Sequence, residues 1–169
     1  MPMIAPEVRE EPEVARLLAA ARAAVTEVPY CWVITAADGG NAHARVVKAF
    51  SNQTGEDWWT RWFLTRRLAR KTTEIRDAGY VTLAFQHDSG KAYVSLAGRA
   101  ELIDERPAVE SRLQQVDDPE GALAGQLIAV RVDADRIELH IRGVTAEPWG
   151  HGRTLLERSL DGVWRLSLS

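Results

Sequence analysis

Apolar positions along this chain change their spacing at Pro29. Before it, Val14, Leu17, Leu18, Ala21 and Val25 recur at intervals of three and four, which predicts an amphipathic helix over about Pro12 to Val25. Its Ala-rich interior favours helix, and Pro29 stops it. After Pro29, short apolar runs are separated by polar turns. Tyr30 to Thr35 is β-branched and aromatic, Ala37-Asp-Gly-Gly40 is a hairpin signal, and His43 to Phe50 is the return strand. Asn52 to Asp57 is a polar loop, and Trp58 to Thr65 is the next strand. Ala69 to Ala78 reads as a short helix anchored by Ile75 and ended by Gly79.

Tyr80 to Phe85 and Ala92 to Ile103 are strands joined by the turn His87-Asp-Ser-Gly90, with Gly98 marking a bulge or bend. Asp104 can cap a helix over about Glu105 to Val116, and Asp117 to Gly121 breaks it. Leu127 to Val132 and Arg136 to Ile141 read as a hairpin across Asp133-Ala-Asp135. Val144 to Trp149 reads as a strand, Gly150-His-Gly152 as a turn, and Val163 to Leu168 as a terminal strand. Residues 1–11 read as a loose tail and 12–169 as one domain, without repeats or a shift in composition. Many short strands with few helices predict a mainly β protein, a closed or nearly closed antiparallel barrel with peripheral helices.

Composition narrows the class. With 169 residues the chain can bury a real core, and 46% apolar with 27% charged residues is ordinary for a globular protein. A net charge of -3 argues against a general nucleic-acid binder. The single cysteine, Cys31, lies in an apolar run and reads as a buried, inert thiol. No apolar stretch is long enough to cross a bilayer, and the first residues lack the order of a signal peptide, so a cytoplasmic protein is expected.

Several chemistries lack their motifs. There is no Gly-x-Gly-x-x-Gly after a strand, no Walker loop, no Gly-x-Ser-x-Gly elbow and no spacing for a metal site among His43, His87, His140 and His151. The basic groups are more informative. In Trp62-Phe-Leu-Thr-Arg-Arg-Leu-Ala-Arg-Lys71, a strand ends near Thr65 and a helix begins near Arg70 and Lys71. A hydroxyl, a guanidinium, an ammonium and free helix-start N–H groups can converge there on one phosphate. Arg61, Arg66 and Arg67 enlarge the cluster, which could also be a solvated surface or an RNA patch.

These segments resemble the pyridoxamine 5'-phosphate oxidase family of FMN-binding split β-barrels, with the general-stress-protein-26-like branch nearest. The resemblance spans about Val25 to Leu166. Its strongest parts are Trp62 to Lys71, Val81 to Phe85, and Tyr93-Val-Ser-Leu-Ala-Gly-Arg-Ala-Glu101. It implies an antiparallel split β-barrel of Greek-key type that binds FMN at the interface of a homodimer. The implied cofactor-binding residues are Arg45 with Val46 and Val47, then Leu64 and Thr65 at the strand end. Arg70 and Lys71 would hold the phosphate, and Tyr93 and Ser95 would stand at the polar edge of the ring.

The tail resembles the end of the true oxidases, Glu-Phe-Trp followed by Arg-Leu-His-Asp-Arg. Glu147-Pro-Trp149 and Thr154-Leu-Leu-Glu-Arg158 match it, which nominates Trp149 and Arg158 as flavin contacts. Thr154 and Leu156 stand where those oxidases grip their substrate with Arg and His. The implied activity is therefore an FMN-dependent oxidoreductase acting on some other small molecule. The alternatives are an F420-binding reductase of the same fold, a haem binder, a non-enzymatic flavin-binding stress or regulatory protein, or a nucleic-acid-binding module.

Overall fold

Two long strands carry the architecture, β5 (Ala92–Ile103) and β6 (Leu127–Ile141), paired antiparallel along all of β5 and from Ala129 to Ile141 of β6. The computed structural model describes residues 10–50, 52–113, 127–147 and 152–167. Around this pair stand β1 (Tyr30–Ala36), β2 (Ala42–Lys48), β3 (Thr60–Arg66), β4 (Tyr80–His87), β7 (Thr154–Arg158) and β8 (Trp164–Leu166). Three helices accompany them: α1 (Pro12–Thr26), α2 (Arg70–Ala78) and α3 (Arg106–Leu113). No helix among the described residues is long and apolar enough to cross a membrane.

The expected hairpin across Asp133-Ala-Asp135 is replaced by one continuous strand. In the β5–β6 ladder Ala97 faces Arg136 and Gly98 faces Ala134, so Asp135 is the extra residue of a bulge. The bulge reverses the inward parity. Ile128, Val130, Val132 and Ala134 are buried before it, and Ile137, Leu139 and Ile141 after it. That reversal is the break in alternation that reads as a turn in the sequence. Gly98 makes the bulge possible, because a Cβ there would lie 2.1 Å from the Asp133 carbonyl oxygen.

The bulge also divides the sheet. Before it β6 pairs with β3, from Thr65 opposite Ile128 to Thr60 opposite Asp133; after it β6 pairs with β7. β7 is a strand missed in the sequence, and β8 pairs with it. The expected strand over Val144 to Trp149 is not formed in its described part, which is turn and bend, and Trp149 lies outside the described residues.

The expected closed or split β-barrel is not formed. The strand order is β2-β1-β4-β5-β6-β7-β8 with β3 branching from β6, an open sheet in a split arrangement. Among the described residues β2 and β3 meet at a single bridge, where the Phe50 N–H donates to the Trp62 carbonyl at 3.0 Å. Continuing that antiparallel register would set Arg45 opposite Arg67, and like charges opposite one another destabilise a ladder. The strands separate there and leave a seam.

The core lies between the sheet and α1. Val14, Leu17, Leu18, Ala21, Ala24 and Val25 of α1 are buried, and they pack in one cluster with Val33, Leu83, Leu96, Ile137, Leu139, Leu156 and Trp164. Pro12 at the first turn presets the helical φ. α2 seals one end through Ile75 and stops at Gly79, whose φ of 66° suits a glycine. Cys31 is buried as expected, and burial pushes its thiol up to about 12.

Gly98→Ala should lower folding stability by about 1–3 kcal/mol, the usual range for overpacking. Chemical denaturation reads this directly, with Gly152→Ala as control, since a Cβ there meets nothing within 4 Å. Equal midpoints for the two variants would mean that the close approach at Gly98 is not required.

Candidate functional site

The seam gathers the strongest group of candidate residues. β2 pairs only with β1 and β3 only with β6, so each turns an unpaired amide edge toward the other beyond the Phe50–Trp62 bridge. Continued from that bridge, the register puts Val47 across from Thr65 and Val46 across from Arg66. Thr65 is buried, and its Oγ1 has no hydrogen-bond partner. A buried hydroxyl without a partner is costly and marks a place where a ligand or water belongs.

α2 begins at Arg70 next to this seam. Its N-cap is Ala69, which supplies no side-chain acceptor. The start of the helix therefore offers N–H groups and the positive end of the helix dipole to an anion. Thr72, wholly buried, ties the helix to the end of β3 by donating to the Arg66 carbonyl at 2.8 Å. Lys71 is half-buried. Burial, and then the neighbouring Arg45 guanidinium, lower its pKa from the usual ammonium value. Lys71 stands three residues, about one helical turn, before Glu74 on α2.

Arg45 and Arg70 both reach one carboxylate, Glu74 on α2, at 3.1 and 3.5 Å. Thr35 donates to it at 2.5 Å, and His43 Nδ1 lies 2.6 Å from its other oxygen. The Thr35 hydrogen bond above all, with those of His43 and Arg45, draws the Glu74 pKa down to about 2. A cleft of about 550 Å³ opens beside this network, bounded by Asp38, Asn41 and Asp77 as well as His43 and Glu74. Glu74, Thr35 and His43 were missed in the sequence. The spacing of Glu74 four residues after Arg70 was the available signal.

Tyr93 and Ser95 occupy a second place, on the outer face of the sheet. They line a pocket of about 310 Å³ with Trp32, Gln86, Glu138 and His140. His140 Nε2 lies 3.2 Å from Glu138. Trp32 is 44% exposed and faces Val46 across the β1–β2 ladder, which makes it a flat apolar platform. The alternation of Tyr30 and Trp32 with buried Cys31 and Val33 was the legible sign of that exposure. From Val46 the outer face runs through Trp32 and Ala84 to Ser95 in successive strands, about 14 Å at ordinary strand spacing.

The candidate residues therefore fall on two faces of an edge strand. Arg45 and Val47 turn inward, and Val47 is in the core. Val46 turns outward and is 52% exposed. A ligand that touches both sets must cross the free edge of β2. Leu64 faces away from Thr65 and packs near Phe50 and Trp62.

The basic cluster of the sequence is dispersed. Arg61 is buried and turned to the Phe50 carbonyl and Asn52, and Arg67 pairs with Asp104. Arg158 is likewise apart from the seam. It binds Asp57 at 2.6 Å and the Gly162 carbonyl at 2.9 Å. Leu156 is fully buried in the core.

A branched antiparallel sheet brings a cationic seam and an outer aromatic pocket to the two faces of β2, and the family follows from the sequence match. The model of the pyridoxamine 5'-phosphate oxidase family matches residues 17–145, and the chain belongs to that family. The match ends before Thr154 and Arg158. No curated protein matches the chain.

Solved structures share the fold. An FMN-binding protein related to pyridoxamine 5'-phosphate oxidase from Nostoc punctiforme has a TM-score of 0.68 at 15% identity, over 93% of this chain and 96% of its own. PhzG from Burkholderia lata, solved in complex with tetrahydrophenazine-1-carboxylic acid, has a TM-score of 0.67 at 16% identity, over 95% of this chain and 93% of its own. A protein related to general stress protein 26 from Clostridium acetobutylicum has a TM-score of 0.65 at 15% identity, over 89% and 98%.

The depressed pKa of Glu74 makes stability depend on acid. Its folded value lies below the ordinary 4.5, so its contribution is complete above that pH and is lost as pH falls toward about 2. Between these values wild type should lose stability more steeply than Glu74→Gln in denaturation curves. Equal slopes would show that the carboxylate is not held by Thr35, His43 and Arg45.

Proposed function

We propose that this protein is an FMN-binding flavoprotein and an oxidoreductase for a small organic molecule. The observation that carries the reading is the seam beside α2. There Arg45 reaches Glu74 on α2 at 3.1 Å, Lys71 stands one turn before Glu74 at the uncapped helix start, and the Thr65 hydroxyl is buried without a partner. That donor set fits a phosphate monoester.

Arg45, Arg70, Lys71 and the first N–H groups of α2 would hold the phosphate. The free edge of β2 at Val46 and Val47 would meet the middle of the cofactor. Trp32, Tyr93 and Ser95 would receive the ring in the outer pocket. Bound flavin would supply the electron transfer, while these residues bind, orient and exclude water. Tyr30, Trp32 and Val46 expose apolar surface on that same face, and we assign it to a second copy of the chain in a homodimer.

FMN titration by absorbance and fluorescence tests this reading, with riboflavin as the ligand that keeps the ring and lacks the phosphate. Lys71→Ala should weaken FMN about ten- to hundredfold, as expected for a lost charge-assisted contact. Riboflavin should change far less, and the exposed Lys91→Ala should change neither. Absence of FMN binding by wild type, or stronger binding of F420 in competition, removes the proposal. Light scattering on the loaded protein should give the mass of two chains, and the mass of one chain would remove the dimer.

The protein is not a working pyridoxamine-phosphate oxidase on this reading. Leu156, at the place of the oxidases' substrate histidine, is fully buried in the core and has no polar atom on its side chain. Pyridoxamine phosphate with oxygen should therefore give no aldehyde above background. Sustained turnover would show that the tail correspondence is wrong.

A further inference from the structure

Arg45 is held at both ends of its guanidinium. Nη2 donates to Glu74 Oε2 at 3.1 Å, and Nη1 donates to Thr35 Oγ1 at 3.3 Å. The Thr35 hydroxyl donates in turn to the same Glu74 oxygen at 2.5 Å. The second Glu74 oxygen faces His43 at 2.6 Å and Arg70 at 3.5 Å. Thr35 is 1% exposed and the Glu74 side chain 11% exposed, while Arg70 at the rim of the cleft is 71% exposed. Lys71 precedes Glu74 by three residues on α2, so the anchor of Arg45 sits one helical turn from it, and Lys71 has no carboxylate partner among the described residues.

A carboxylate in a cationic seam is unexpected if charge alone attracts the ligand. Glu74 cancels part of the positive field that a phosphate would seek. What it supplies is direction. Without an anchor, the long Arg45 side chain would swing away from Lys71, because the two like charges repel and rotamer freedom favours dispersal. We propose that Glu74 and Thr35 are positioning residues that hold Arg45 beside Lys71, so that both cations meet one phosphate. This rests on the FMN reading above and adds to it a specificity device: preference for the phosphorylated flavin depends on orientation rather than on net charge.

Two variants separate orientation from charge. Glu74→Gln removes the anchor and raises the local charge by one. Thr35→Val keeps charge and shape and removes only the bridging hydroxyl. Positioning predicts weaker FMN binding in both, about tenfold for Glu74→Gln and about threefold for Thr35→Val. Riboflavin should stay within about twofold in both, because the ring site on the outer face is untouched. A purely electrostatic role predicts the opposite sign, with tighter FMN binding in Glu74→Gln and no change in Thr35→Val.

Equal or tighter FMN binding in Glu74→Gln overturns the proposal, as does a parallel loss of riboflavin in both variants. If Glu74→Gln fails to fold, Thr35→Val decides alone, and an unchanged FMN-to-riboflavin ratio overturns the proposal. Wild type that shows no preference for FMN over riboflavin removes the FMN reading and this role together. Wild type that prefers FMN, with variants that keep the preference, removes only the positioning role.

Discussion

The close approach of Gly98 to the Asp133 carbonyl is the constraint on which the rest of the structure depends. It lets β6 carry one extra residue, Asp135, and so change which parity faces the core. The strand can then serve two neighbours, β3 before the bulge and β7 after it. A straight β6 would have to give one of them an outward-facing apolar set. Tyr80 and Asp135 tie the bulge to β4, since the phenol donates to the carboxylate at 2.7 Å.

This branching has a consequence at the far side of the sheet. β3, attached only to β6, comes beside β2 without pairing along it. The single Phe50–Trp62 bridge fastens one end of the gap, and at the other Arg45 turns to Glu74 and Arg67 to Asp104. Backbone groups that a closed barrel would have used on itself are left unpaired between the two strands. The site is thus a by-product of incomplete pairing, with α2 lending its uncapped start and Thr72 fixing that start against β3.

Buried arginines do structural work nearby and explain why charge counting along the sequence misleads. Arg112 stacks on Trp62 at 3.5 Å and pairs with Glu56, while Arg61 reaches Asn52 and lies over Trp58. Both pin the 52–58 segment that delivers the chain into β3. Each has guanidinium surface covered by an aromatic face, where its charge is stabilised without exposure to water. The cations of the seam have no such aromatic cover among the described residues.

The amino-acid sequence by itself determined the elements whose signals are local. The 3.6-residue stripe of α1, the β1–β2 hairpin at Asp38-Gly-Gly40, the stop of α2 at Gly79 and the bend at Gly98 each rest on one segment's periodicity or on one glycine. The resemblance carried by Trp62 to Lys71 was likewise legible, and it led to the family that the match over residues 17–145 establishes. Other features depended on partners distant in the chain. β6 is one strand and not a hairpin because β5 runs past the bulge on both sides. The sheet stays open between β2 and β3 because β3 takes its partner in β6, far along the chain, and meets the end of β2 only at the Phe50–Trp62 bridge. Arg61 and Arg67 left the basic cluster because Asn52 and Asp104 compete for them, and Arg158 of the tail is tied to Asp57. Glu74 joined it because α2 packs across β1 and brings Thr35, His43 and Arg45 within reach. Local periodicity decides which face of a segment is buried; only the packed structure decides which charges end up paired, because pairing is a competition among groups that the chain keeps far apart.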